Sequence, residues 1–269
     1  MEKHVIIGET RNGDIIMKMN DFENLITQLF GVWLKEFENE GEYGFTHKVE
    51  KEIKVVAYAT NLTPETVEKA HNSRADLLIT HHDAWDFVYG MKEACEAELR
   101  KHDISHYFTH YPLDFVEFGT STALFEQIKI DEITTFSTFK DNQEFPGIGH
   151  YHKPLSFMEL KERLEQVLGE PVKAWENHDR PINKVGVLTG AGNHTALIQY
   201  AKKQDCDAYI TGEQSLYSVQ YAKFAGIHLF VGSHTFTEIF GVENLVVRMK
   251  EIYPNVKMVR IQEEHIESY

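Results

Sequence analysis

The chain has 269 residues, 42% apolar and 12% aromatic, a composition that fills real cores and excludes extended disorder. Its 27 Lys and Arg against 42 Asp and Glu give a formal net charge of -15, which argues against non-specific nucleic-acid binding, because that binding depends on neutralising phosphates. No run reaches the roughly 18 consecutive apolar residues of a membrane span, and the amino terminus is charged throughout without an apolar h-region, so a soluble, cytoplasmic protein is expected.

In chain order, His4–Ile7 and Ile15–Met17 flank Asn12-Gly13-Asp14, a favoured tight turn, and predict a hairpin over residues 4–19. Asn20 or Asp21 can then cap a helix with Phe22, Leu25, Ile26, Leu29 and Phe30 on one face. Residues 36–44 read as a loop. A strand at Val55–Ala59 leads to a helix capped by Thr63 with Pro64 at its first position, then to a strand at Leu77–Thr80. A helix over Met91–His102, a strand over Ser105–Thr109 and a helix near Gly119–Ile128 follow. Residues 141–153, DNQEFPGIGHYHK, have a proline, two glycines and no periodicity, and read as a boundary loop. Ser156 and Glu159 form a capping box for a helix through Val167.

The stretch Lys54–His82 has an echo about 130 residues later in Lys184–Glu213. Each begins with a β-branched run, passes through a small-residue turn and a helical segment, and returns to a short strand ending in Ile-Thr. Two similar α/β (or α+β) lobes, residues 1–140 and 141–269, packed as one compact unit, are therefore expected, with right-handed crossovers. Cys95 and Cys206 form no Cys-x-x-Cys and read as reduced, structural thiols.

Metal-ligand residues cluster after these strands. His81-His82 closes LLIT, and strand carboxyl ends are where α/β proteins place their sites. On an extended strand the two imidazoles would point to opposite sides, so a bend is needed for each to meet a separate ion. Downstream, His110-x-x-x-Asp114 and His234-x-x-x-Glu238 repeat a His/carboxylate pair at a spacing that shares a helical face, although Pro112 favours a turn at the first. Imidazole and carboxylate ligands without thiolates select zinc, iron, manganese, cobalt or nickel. Too few protein ligands to saturate two divalent ions leave positions for water, the mark of a catalytic site, and a bridging Glu238 would hold the ions roughly 3.5–4 Å apart with a bridging hydroxide as nucleophile.

ADLLITHH, HYPLD, Gly147-Ile148-Gly149, KVGVLTGAG followed by DAYITGE, and GSHTFTE together resemble the NGG-interacting-factor-three-like family, dinuclear-metal-centre proteins labelled homologues of type 2 GTP cyclohydrolase I. The resemblance spans roughly residues 20–265. It implies His81, His82, Asp114, His234 and Glu238 as metal ligands, with His110 in a supporting position, and a toroidal homohexamer of two-lobed subunits. The chain departs from the family at Glu40–Phe45, where Trp-Asp-Asn-x-Gly-Leu is usual, at Asp83–Phe87 after the His pair, at Leu216-Tyr217, and at His150, where arginine is frequent.

Gly190-Ala191-Gly192 lacks the third glycine of a dinucleotide fingerprint and reads as a tight strand-to-helix turn. Asp86 and Glu213 lie near ligand segments as candidate proton shuttles. His150 and His152 could reach the site from the boundary loop, and Trp33, Trp85 and Trp175 read as core or interface residues. The expected activity is that of a dinuclear metal-dependent hydrolase on a small molecule, with a nucleotide implied by the resemblance. The alternative is a non-catalytic metal-binding, metal-delivery or scaffold protein.

Overall fold

The computed structural model describes residues 10–11 and 14–267. The chain forms two compact units that are not contiguous in sequence: residues up to Leu113 with Val242–Glu263, and Asp114–Gly241 with residues from Glu264. The division therefore falls at 113/114 and again at 241/242, not at 140/141. The helix His234–Ile252 gives its first eight residues to the second unit and the rest to the first.

The first unit holds a five-stranded sheet in the order 257–260, 55–61, 77–82, 105–109, 43–47. The first four strands are parallel and Tyr43–His47 is antiparallel to its neighbour. Strands covered on both faces need apolar runs rather than alternation, and Val56, Ala57, Leu77, Leu78 and Ile79 are all buried. Thr63 accepts the Thr66 amide at 3.1 Å and starts the helix Pro64–Asn72. Val67 and Ala70 from that helix, with Cys95 and Leu99 from Met91–His102, pack with Ala57, Leu78 and Ile261. Asp76 binds the sheet together from its edge: one carboxylate oxygen accepts the amides of Lys54 and Val55 at 2.9 and 3.0 Å.

Two local readings change here. The hairpin strand at His4–Ile7 lies outside the described residues, and what pairs is Thr10–Arg11 with Asp14–Ile15. The first helix begins at Met19, and Asp21 caps it from the third helical position by accepting the Lys18 amide at 2.9 Å. At the foot of the 77–82 strand, Thr80 donates to the His82 carbonyl at 2.6 Å, so its hydroxyl oxygen accepts from His106 Nε2 at 2.8 Å, and His106 Nδ1 accepts from Thr46 at 2.6 Å. Burial drives the His106 imidazole down to about 3, and it is neutral.

In the second unit the sheet order is 173–175, 228–231, 208–211, 182–187, 147–155, 132–135. The strands 182–187, 208–211 and 228–231 are parallel, and the helices Thr195–Lys203 and Leu216–Ala225 lie between them in sequence. Strand–helix–strand–helix–strand thus occurs in both units. Asp207 repeats the device of Asp76, accepting the amides of Asn183 and Lys184 at 2.9 and 3.2 Å. The Ser156–Glu159 capping box forms as expected, with hydrogen bonds of 2.7 and 3.2 Å.

Residues 141–153 are not a linker. Thr138–Lys140 and Gln143–Phe145 form a hairpin turning on Asp141 and Asn142, both at positive φ, and Gly147–Leu155 is an interior strand. Its two glycines look like loop residues in sequence. They are there because a Cβ at Gly147 would lie 2.9 Å from the Phe125 ring, and one at Gly149 2.7 Å from Ile130. Both cysteines are free and buried, and burial pushes each thiol up to about 12, so they are inert core residues. Among the described residues no helix is long and apolar enough to cross a membrane.

The His106 geometry fixes a pH dependence. The folded imidazole titrates at about 3 against 6.5 for an exposed one, so the unfolded chain takes up the proton more readily. Stability should be intact above pH 6.5 and fall as the pH drops below it, by up to about 1.4 kcal/mol per unit from this group. Urea midpoints at pH 7.5 and 5 should show a shallower acid loss in His106→Gln than in the native chain, even where the variant is weaker at both. Equal acid loss in the two would refute this.

Candidate metal centre

His81 and His82 are the last residues of the strand Leu77–His82 and both are buried. Pairing with the 105–109 strand ends at Thr80, and the Thr80 bond to the His82 carbonyl curls the strand end. The two rings therefore do not diverge to opposite sides; their centroids are 4.6 Å apart. His110, just beyond the 105–109 strand, brings its ring within 5.1 and 5.3 Å of them. One ring nitrogen from each of His81, His82 and His110 lies within 4.8 Å of the others, a group that could hold a metal ion.

The hydrogen bonds decide which nitrogen is offered. His81 Nδ1 meets the Thr109 carbonyl at 2.9 Å, an oxygen that only accepts, so Nδ1 carries the hydrogen and Nε2 the lone pair. His82 Nδ1 donates to Asn61 Oδ1 at 2.8 Å. That amide is oriented by its own Nδ2, which donates to Glu263 at 2.8 Å. Glu263 also accepts the Thr60 and Asn61 amides at 2.7 and 3.0 Å. His110 Nδ1 donates to Glu42 Oε2 at 2.5 Å. Each imidazole is held in the tautomer a metal ligand needs, by an acceptor on its far side.

The second unit holds Asp114, His234 and Glu238. Asp114 sits in the short helix Tyr111–Phe115, where Pro112, at the second helical position, forgoes no internal bond; the turn expected there is helical. Its Oδ1 accepts from Thr120 at 2.8 Å, and Thr120 in turn accepts from Thr189 at 2.8 Å. His234 and Glu238 stand one turn apart at the start of His234–Ile252, with Nε2 and Oε1 3.3 Å from each other. His234 Nδ1 donates to Glu213 Oε1 at 2.7 Å, and Asn193 holds the other Glu213 oxygen at 3.1 Å. Burial alone would lower the His234 imidazole, but the Glu238 charge and the bonds to Glu213 and Glu238 raise it to about 11. So strong a negative field around a half-buried imidazole suits a cation.

Gly190 gives an independent sign of a fitted site. It adopts φ +61°, and a Cβ there would fall 1.9 Å from Glu238 Oε1 and 2.8 Å from His234 Nε2. Its amide donates to Thr237 at 3.1 Å, and its carbonyl accepts from the Gly212 amide at 3.0 Å. The Gly-Ala-Gly turn is thus a lid of bare backbone over the His234–Glu238 pair. This role is invisible in the sequence, as are those of Asn61 and Glu42, because each acts across the fold on a residue far away in the chain.

Other expected contributors fall elsewhere. His150 and His152 lie on the 147–155 strand, and neither belongs to a metal-binding group among the described residues. Asp86 is exposed and paired with Lys92 at 3.2 Å. Trp85 is not a core residue; its ring lies 5.3 Å from His110 and 6.2 Å from His82.

A family model described as Duf34/NIF3 (NGG1p interacting factor 3) matches residues 17–266. A GTP cyclohydrolase 1 type 2 homolog of Haemophilus influenzae is 29% identical over 201 residues, which cover 72% of this chain and 78% of that protein. Its counterpart in Pasteurella multocida is 30% identical over 202 residues, covering 72% and 79%. Among solved structures, reduced HcgD from Methanocaldococcus jannaschii matches with a TM-score of 0.75 at 22% identity, covering 93% of this chain and all of that one. A Bacillus cereus protein related to NIF3 matches at 0.77 and 16% identity, covering 94% and 99%. At these identities the structures show a shared fold.

Removing the acceptor behind one imidazole tests the geometry directly. Asn61→Leu should lower the affinity for Zn²⁺ by about 10–100-fold, the usual effect of losing a residue that orients a ligand. Competition with a chromogenic chelator measures it, and native affinity in the variant would show that the Nδ1 bond does not matter.

Proposed function

We propose, from the premise that this chain belongs to the Duf34/NIF3 family, that it is a metal-dependent hydrolase in which His81, His82, Asp114, His234 and Glu238 hold two divalent cations. The observation that carries this reading is the Nδ1 bonding: His81, His82 and His234 each spend Nδ1 on a fixed acceptor, which makes Nε2 the nitrogen each would turn to a ligand, and His234 Nε2 faces the Glu238 carboxylate at 3.3 Å. An all-nitrogen and oxygen donor set suits zinc, iron, manganese, cobalt or nickel. Such ions supply Lewis acidity and an activated water at neutral pH.

The chain's own residues supply the rest. Glu213 takes the Nδ1 hydrogen bond of His234 and keeps the imidazole facing Glu238. Thr120 donates to one Asp114 oxygen and so orients the carboxylate. His110, already bonded to Glu42, stands beside the His81–His82 pair as a proton carrier or a further ligand. The relatives' names favour a nucleotide substrate of the GTP type. A homohexamer in the cytoplasm completes the proposal. Its support is the family resemblance and the exposed Phe87, Tyr89, Tyr217 and Phe224, large apolar groups of the kind that subunit contacts cover.

Metal-loaded protein should turn over at least one member of a panel of nucleotides and phosphoesters. His234→Ala should lose that turnover by more than the roughly 10–100-fold that loss of a supporting residue brings. Ions bound tightly by the native chain with no turnover above His234→Ala would instead favour the metal-storage or metal-delivery reading.

A further inference from the structure

The second unit contains a cavity of about 320 Å³ lined by Lys173, Gly212, Glu213, Gln214, Val231, Gly232, His234 and Glu267. It lies beyond the carboxyl ends of the parallel strands Ala208–Thr211 and His228–Val231, where open α/β sheets bind their ligands. Its size is at the lower end of the range for small-molecule sites. Part of its wall is bare backbone for a reason of packing: a Cβ at Gly212 would meet Thr237 Oγ1 at 2.7 Å, and one at Gly232 would meet Leu168 at 2.5 Å.

The polar side chains of this cavity divide into two sets. His234 and Glu213 are bonded to each other at 2.7 Å, and Asn193 holds the second Glu213 oxygen. Glu267 comes from the last described residues of the chain and reaches back to the start of the His234 helix. Its carboxylate accepts the Thr235 hydroxyl at 2.9 Å and the Thr235 amide at 3.3 Å. The same tail is anchored by His265, which stacks on Phe236 at 3.8 Å and donates to Glu170 at 2.9 Å, while Glu170 accepts the Ser233 amide at 2.7 Å. Among the described residues, the side chains of Lys173 and Gln214 have no hydrogen-bond or ion-pair partner.

We infer that this cavity is an anion subsite for a phosphate or carboxylate group of the substrate, and that the Glu267 carboxylate holds the place of that group until it binds. The ligand would exchange with Glu267 on the Thr235 hydroxyl and amide and gain Lys173 and Gln214 as further donors. Both Glu213 oxygens are already engaged, one by His234 and the other by Asn193. Glu267 itself would repel the incoming anion and must leave. An anion seated there lies against His234, so a reacting bond in the same molecule comes to the metal ligands. That last step rests on the reading of His234 as a metal ligand; anion binding itself does not.

The test uses the full chain freed of metal with EDTA, so that no ion can coordinate the probe. Inorganic phosphate and acetate are titrated separately at constant ionic strength, following heat and the shift in thermal unfolding midpoint. At least one should bind saturably, and which of them binds identifies the chemistry. Glu267→Gln, which removes the competing charge and keeps the shape, should tighten binding about fivefold. Lys173→Met should weaken it by a similar factor, the size of one exposed ion pair. A structural role for Glu267 would give the opposite sign, because loosening the tail would not improve a site. Absence of binding by both probes in native and Glu267→Gln protein, or equal or weaker binding in Glu267→Gln, would overturn the inference while leaving the metal affinity of the same preparations to judge the hydrolase reading separately.

Discussion

A hydrogen bond at Nδ1, made four times with four different acceptors, is the constraint from which the rest of the centre follows. A neutral imidazole has one donor and one acceptor nitrogen, and its partner determines which is which. Here the partners are a backbone carbonyl for His81, an amide oxygen for His82, and carboxylates for His110 and His234. Each bond fixes the tautomer and the ring angle together. A buried imidazole without such an acceptor would be free to present its hydrogen where the lone pair is required. At His234 the charges and bonds of Glu238 and Glu213 also raise the imidazole, against the lowering effect of burial.

Two of those acceptors are held by the sheet of the first unit. The Thr109 carbonyl is placed by the last residue of a parallel strand, and Asn61 ends the strand beside the His pair, in register with His82. The buried chain of Thr46, His106, Thr80 and the His82 carbonyl secures that strand end from below. In the second unit the corresponding support is the Thr189–Gly190 turn. Thr189 leads through Thr120 to Asp114, and Gly190 closes over Glu238. Adjacent residues of one turn thus steady both carboxylates of that unit. This accounts for glycine at 190 better than any nucleotide-binding role does.

Much of this could be read in the sequence. Capping residues such as Thr63 and Ser156, the apolar strands, the buried thiols and the α/β class were legible because each depends on neighbours within a few positions. The strand-end histidines and the His/carboxylate spacings were visible for the same reason. The echo of ADLLIT in DAYIT also has a local cause, since Asp76 and Asp207 both tie down the first amides of a preceding strand. What stayed hidden was long-range. Gly147 and Gly149 read as loop residues because the Phe125 and Ile130 side chains that exclude a Cβ come from a distant segment. The two-unit division was misread for a related reason. A boundary that the chain crosses twice leaves no single linker in the composition, and one of its crossings lies inside a helix.

The departures from the family pattern acquire a physical meaning in this light. Asp83–Phe87 places Trp85 beside His82 and His110, and Lys92 pins the segment through Asp83 at 3.1 Å and Asp86 at 3.2 Å. Leu216 and Tyr217 open an exposed helix rather than adding imidazoles to the centre. The residues that orient the candidate metal ligands are present here, while the departures from the family pattern fall at Asp83–Phe87 and Leu216-Tyr217.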